Sequence, residues 1–410
     1  VTETDTRVHA QYEAYPYPAR DPRDEANRLI SGSPSHLDEI RHYVFAGRLD
    51  LAQPFRALVA GGGTGDAAIL LAQQLADAGA ADAEVVHLDI SSASRAVAVA
   101  RAEARGLTNL RFADGPVERV AEIAPGPYDY IDCCGMLHHL DSPEAGLAAL
   151  AGVLKPAGGM GLMVYGEYGR TGVYPVQEAL AQLAGDRDDR TKVELAKRLV
   201  EGLPKSHWLK RNPFVGDHLT GGDAGLYDLL LHPRDRAYRV AAFNDLVESA
   251  GLAVRAWIEP ARYDPASYLP DPALRKAAAD LSAVDRAALA ERLSGAMAKH
   301  VVYAVPAARA ADPAPDPAAD GAVLVLRDLD PVTVSKGLGG ALRADLSGAP
   351  WSAPLPAIAP AIVARLDGAR TVAQIREALK PGDPARFAEH IRSTFAAFQA
   401  INRMLVRRAG

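Results

Sequence analysis

The chain has 410 residues, 49% of them apolar, with 45 Lys and Arg against 51 Asp and Glu. That length predicts two or three units of about 100–200 residues, with ample material for a core. A formal charge of −6 provides no basic stripe for nucleic acid, and no run approaches the roughly 20 apolar residues that span a bilayer. In chain order, the polar start Val1-Thr2-Glu3-Thr4-Asp5 carries no visible secretion signal. The segment Gln11 to Pro22 cannot be helical through Pro16, Pro18 and Pro22, which force extended backbone. Two readings stay open for it: a strap packed on the surface, or a lid with Tyr15, Tyr17 and Arg20 lining a site. Leu37, Ile40, Tyr43, Val44 and Leu51 then predict a helix within 35–51 that docks on a sheet.

The most informative stretch follows. Ala57-Leu58-Val59-Ala60 leads into Gly61-Gly62-Gly63-Thr64-Gly65-Asp66, and Ala67 to Gln74 continues with helical spacing. That is a strand, a tight turn and a helix start, with glycines placed for close approach of a ligand. A second strand, Glu84 to Asp89, ends in an acid about 20–25 residues past the glycines, where ribose hydroxyls are held in open α/β sheets. A carboxylate suits a vicinal diol because it accepts both hydrogen bonds. Leu110 to Gly115 and Tyr128 to Cys134 read as strands three and four, the latter running into Gly135-Met136-Leu137-His138-His139-Leu140-Asp141. A helix from Pro143 to Leu154, the turn Lys155 to Gly159 and the strand Met160 to Tyr165 complete this half. Cys133 and Cys134, adjacent at a buried strand end, suit neither a structural bridge nor a metal site; no metal is expected, and a cytoplasmic setting is.

Over Arg56 to Gly166 closely, and to Pro306 more loosely, the chain resembles the class I S-adenosylmethionine-dependent methyltransferases. The glycine loop, Asp89, Asp114, the Leu137-His138-His139-Leu140-Asp141 phrase and Leu154-Lys155-Pro156-Ala157-Gly158-Gly159 carry the resemblance. It implies S-adenosyl-L-methionine as cofactor, with S-adenosyl-L-homocysteine as product. It also implies cofactor contacts from Ala60, Gly61, Gly62, Gly63, Gly65, Asp89, Ile90, Asp114, Gly115 and Cys133. The segment Cys133–Gly135 would face the methyl group. The family usually has an acid two residues before the first glycine; Val59 stands there, so another group, from the N-terminal segment, is expected to supply that contact. The implied fold is α/β, a Rossmann-like seven-stranded sheet of order 3-2-1-4-5-7-6.

Beyond strand five, Val240 to Ala250 reads as a helix, with Ala253 to Ile258 and His300 to Val305 as strands six and seven. Helical insertions at 168–238 and 262–299 sit at the carboxyl edge of the sheet, as substrate cover, packing or dimer contact. The first is read as helices Pro175–Ala184 and Thr191–Leu203 followed by a loop from Trp208 to Leu231. The expected organisation is a lid or helical segment at 1–55, the methyltransferase domain at 56–306, a Pro/Ala linker at 307–320 and a small domain at 321–410. The last resembles winged-helix-type α+β modules appended to some bacterial protein-modifying methyltransferases. It predicts a strand at Ala322–Leu326 and helices near Ile358–Leu366, Val372–Leu379 and Ala385–Asn402.

Methyl transfer from a sulfonium is an in-line displacement in which positioning supplies much of the acceleration. Candidate catalytic residues are His138, His139 and Glu167, and candidate substrate contacts are Tyr15, Tyr17, Arg20, Tyr174 and His218. Arg95, Arg101 and Arg105 read as a solvated helix face. The expected acceptor is an N or O nucleophile of a small molecule or of a protein or peptide side chain; a homodimer is considered, and neither nucleic acid nor membrane is expected. A cofactor-binding regulator without turnover and an NAD(P)-dependent oxidoreductase are the competing readings.

Overall fold

The computed structural model describes residues 3–408. Residues 1–2, from the expected polar start, and 409–410 lie outside the described residues. At the centre is a seven-stranded sheet of order 3-2-1-4-5-7-6. Its strands are β1 (Phe55–Ala60), β2 (Ala83–Asp89), β3 (Leu110–Asp114), β4 (Tyr128–Cys134), β5 (Leu154–Tyr165), β6 (Leu252–Trp257) and β7 (Lys299–Pro306). The first five run parallel, and β7 is antiparallel to both β5 and β6.

β1 is apolar at nearly every position because both faces are covered. Ala57 and Val59 enter one core cluster while Leu58 and Ala60 enter the other, the alternation that a pleat imposes. The register aligns Asp89 with Asp114, so the two acids leave the sheet side by side at its carboxyl edge.

Several expectations change in detail. The helix expected within 35–51 reduces to a short turn, Leu37–Glu39, and a π-helical stretch, Ile40–Val44. The turn expected at Lys155–Gly159 lies inside β5, where the pairing with β4 shifts register between Tyr128 and Tyr130. The N-terminal helix Glu3–Ala14 ends just before Pro16, and the prolines carry the chain on as an irregular strap. The expected loop Trp208–Leu231 contains three helices, Trp208–Arg211, Asp217–Thr220 and Gly222–Leu230. Tertiary packing supplies what the local sequence did not signal: Leu226, Tyr227, Leu229 and Leu230 are buried with Val173, Val176 and Leu180. The arginines Arg95, Arg101 and Arg105 do not form a solvated face. Arg101 is 1% exposed and bonds Glu25, Asp66 and the Thr64 carbonyl, Arg105 pairs with Glu25, and Arg95 pairs with Asp114.

The C-terminal residues form a separate apolar cluster around Leu324, Ile362, Phe387 and Ile391. Strands Ala322–Leu326 and Met404–Arg408 pair antiparallel, and a hairpin joins Ala341–Asp345 to Pro350–Pro354. Leu405 crosses into the methyltransferase-side core, and Arg327 places its guanidinium 2.6 Å from the fully buried Glu39. Among the described residues, no helix is long and apolar enough to cross a membrane.

Candidate active site

The site is built at the carboxyl edge of β1, β2, β4 and β5. The chain leaves β1 at Ala60 and turns through glycines into helix Asp66–Asp77. The turn is packed from two sides. A β-carbon on Gly62 would stand 2.3 Å from the His87 ring, and one on Gly63 would meet the N-terminal strap. His87 Nε2 lies 2.9 Å from the Gly63 carbonyl oxygen, and the Gly63 N–H donates to Asp89 at 2.7 Å. The loop is therefore held from the neighbouring strand by two contacts.

Asp89 also accepts the Ser91 N–H at 2.8 Å. An ionised carboxylate has about four lone-pair sites, so roughly two remain for a vicinal diol. The glycine cradle and this acceptor set fit S-adenosylmethionine at Ala60–Gly65, Asp89 and Ile90. Asp114 pairs with Arg95 at 2.8 Å while its side chain stays half exposed. The Cys133 side chain points into the core, fully buried, with its thiol pushed well up by burial. Val59 is likewise buried in the sheet.

The strap closes this half. Thr64 donates to the Pro18 carbonyl at 2.7 Å, and Arg20 forks onto Asp66 at 2.6–3.2 Å. Glu13 accepts N–H and O–H from Ser92, at the start of helix Ser92–Ala104, which draws its carboxyl below its ordinary range despite burial. Tyr15 stacks on Tyr227 with ring centroids 5.1 Å apart.

A second half lies beneath the strap. Tyr12 donates to Asp228 at 3.3 Å and sits 3.2 Å from His232 Nε2, while Tyr165 donates to the other Asp228 oxygen at 3.1 Å. Burial pushes the Tyr12 hydroxyl well up, and the charges of Asp228 and Asp89 add to it. The Tyr12 backbone carbonyl accepts from Ser91 Oγ at 3.1 Å, so Tyr12 links the end of β2 to a buried carboxylate. Burial raises Asp228 itself above the usual carboxylate range.

His138 is fully buried, its ring 3.9 Å from Tyr165 and 4.2 Å from His139, and neither nitrogen has a hydrogen-bond partner among the described residues. Burial holds it neutral, well below the ordinary histidine range. Arg170 lies over the Tyr165 ring at 3.8 Å, pairs with Asp235 at 2.6 Å and donates to the Tyr174 hydroxyl at 3.1 Å.

Of the residues expected from sequence, the fold thus gathers His138 and His139 with Tyr165 and Arg170, and connects Tyr174 to them through Arg170. Tyr17 and Arg20 lie on the glycine-loop side. Glu167 is taken up by Arg239 at 2.6 Å, and His218 is half-buried, with burial lowering its pKa. Sequence reasoning missed Tyr12, Asp228, His232 and Arg170. Asp228 did carry a signal, an acid inside the apolar run Leu226-Tyr227-Asp228-Leu229-Leu230.

Residues 58–160 match the family described as Methyltransferase domain. An uncharacterised protein of Synechococcus is 33% identical over 268 residues, which are 63% of this chain and 61% of that one. A ubiquinone biosynthesis O-methyltransferase of Acinetobacter baylyi is 32% identical over 89 residues, 22% of this chain and 36% of that one. The chain therefore spans less than two thirds of the length of the curated relatives it matches. Among solved structures, PKMT2 from Rickettsia typhi superposes with a TM-score of 0.64 at 14% identity, covering 93% of this chain and 77% of that one. The same protein in complex with AdoHcy gives 0.59 at 14% identity over 91% of this chain and 75% of that one. At that identity the likeness is one of fold. With the strand order, the glycine loop and the matched family in agreement, this chain carries a class I S-adenosylmethionine-dependent methyltransferase domain.

Proposed function

We propose that the protein transfers the methyl group of S-adenosylmethionine to a nitrogen or oxygen nucleophile of a small molecule or of a protein or peptide side chain. The observation that carries this reading is the adjacency of two half-sites under one strap. The Tyr12 carbonyl accepts from Ser91 Oγ at 3.1 Å, two residues past Asp89, while the Tyr12 hydroxyl donates to Asp228 at 3.3 Å, beside Tyr165 and His138. The bound cofactor supplies an electrophilic methyl carbon on a sulfonium.

This chain's residues do the rest. Asp89 takes the sugar hydroxyls, the loop glycines admit the ligand close to the backbone, and the strap excludes water once Arg20 and Asp66 have met. The unpartnered nitrogens of His138 offer a contact for a polar group arriving from the acceptor. The docked C-terminal unit supports a macromolecular acceptor, since it extends the surface beyond what a metabolite needs.

Calorimetry of the full chain against S-adenosylmethionine, S-adenosylhomocysteine and NAD tests the cofactor, and Asp89→Lys is expected to abolish uptake. Preference for NAD would return the oxidoreductase reading. Binding of S-adenosylmethionine with no methylated product in any extract would return the regulator without turnover.

A further inference from the structure

Beside the glycine-loop half of the site, His139, His232 and Asp228 form a cluster whose chemistry is set by the backbone of one residue. His139 Nδ1 lies 2.7 Å from the Arg234 carbonyl oxygen, and His232 Nδ1 lies 3.0 Å from the Arg234 N–H. A carbonyl only accepts and an N–H only donates. His139 therefore carries its proton on Nδ1, leaving a lone pair on Nε2, whereas His232 carries its proton on Nε2. The two rings stack 3.8 Å apart at 24°, and one atom from each, with an Asp228 oxygen, lies within 4.8 Å of the others.

Three such groups suggest a metal ion, but the geometry opposes it. Nearly parallel stacked imidazoles do not aim two in-plane lone pairs at one point, and the His232 Nε2 position bears a proton. Opposite tautomers beside a buried carboxylate make a different device, a base with its acid-stabilising neighbours.

We propose that His139 Nε2 accepts the proton of the methyl acceptor, with Asp228 stabilising the imidazolium and the Arg234 backbone and His232 as positioning groups. This rests on the methyltransferase reading above. In the step, the acceptor heteroatom forms its bond to the methyl carbon as the carbon–sulfur bond breaks, sulfur keeping that electron pair. The acceptor's proton passes to His139 Nε2, and water removes it after product release. The groups facing His139 are His138, His232 and Tyr165 by ring contact, with Asp228 attracting its positive form. Burial holds His138 and His232 neutral, so they do not compete for the proton. The loop phrase after β4 thus divides its labour: His138 offers contacts, His139 moves charge.

The test has two arms on the full chain. Nitrogen-15 spectra of the histidine rings are expected to report Nδ1–H for His139 and Nε2–H for His232. Equal tautomers, or joint shifts of both rings on titration with zinc chloride, would overturn the proposal in favour of a metal site. In the second arm, transfer of labelled methyl from S-adenosylmethionine into cell extract is followed against pH. His139→Gln is expected to fall about 100-fold or more and to lose the acid limb of the profile, with cofactor binding kept within threefold. Asp228→Asn is expected to fall about tenfold while keeping that limb. Retained transfer in His139→Gln would refute the base, whereas absent cofactor binding in the native chain would refute the underlying function instead. Nil labelling of extract by the native chain although cofactor binds would overturn the base together with the methyltransferase reading on which it rests.

Discussion

The carbonyl oxygen of Tyr17 lies over Gly63, 2.6 Å from where a β-carbon would stand, with φ of +50° at that glycine. Strap and cofactor loop are therefore in close contact at Gly63, beside the Thr64–Pro18 hydrogen bond. Gly63→Ala introduces both a left-handed alanine and a collision, at a cost of about 1–3 kcal/mol. The expected outcome is at least tenfold weaker S-adenosylmethionine binding by calorimetry. Unchanged affinity would mean that the strap does not close over the bound cofactor.

Asp66 joins the strap to the helix behind it, through Arg20 on one side and Arg101 on the other. Burial pushes its carboxyl up, but the two guanidinium groups prevail and hold it below the usual range. Its folded value is thus depressed. The stability it contributes is present above the unfolded value of about 3.9 and is lost as pH falls through the lower folded value. Denaturant titrations below about pH 4 are expected to lose this contribution in the native chain and not in Asp66→Asn. Arg20→Ala, which removes a charge-assisted fork, is expected to cost roughly 1–3 kcal/mol.

Asp132 behaves in the opposite sense. It is fully buried in β4, accepts Ser35 Oγ–H at 2.7 Å through one oxygen, and has no partner for the other among the described residues. Burial raises it to about 7. A raised carboxyl means that the folded state favours the protonated form, so stability is complete below about 3.9 and is lost as pH rises to about 7. The loss amounts to about 4 kcal/mol across that window. Chemical denaturation at about pH 5 and about pH 8 is expected to differ in the native chain and to converge in Asp132→Asn, which keeps the Ser35 contact.

Glu39 is fully buried and receives Arg327 from the C-terminal unit, Asn402 at 2.8 Å and Ser33 at 2.8 Å, with Tyr303 on its other oxygen at 2.9 Å. Removing Arg327 leaves that charge uncompensated. Arg327→Met is expected to destabilise the protein by about 3–5 kcal/mol, and Glu39→Gln combined with it to recover most of the loss. Limited proteolysis near residues 310–320 reports the accompanying release of the C-terminal unit. An additive double variant would place the interface energy elsewhere.

The sheet and the cofactor half of the site were legible in the sequence because their signals are local. Apolar runs, a glycine turn and an acid at a strand end each occupy a few consecutive residues, and right-handed parallel crossovers leave few ways to join them. His138 and His139 were legible for the same reason. Tyr12, His232 and the Arg234 backbone were not, because each is ordinary in its own segment, and Asp228 signalled only a buried acid without its partners. They acquire chemistry only when the N-terminal helix is laid against an insertion more than two hundred residues away. Arg101 and Glu39 show the same limit in the core. A charge in a sequence reads as surface, and only the packed structure reveals that a partner from a distant element has made its burial affordable.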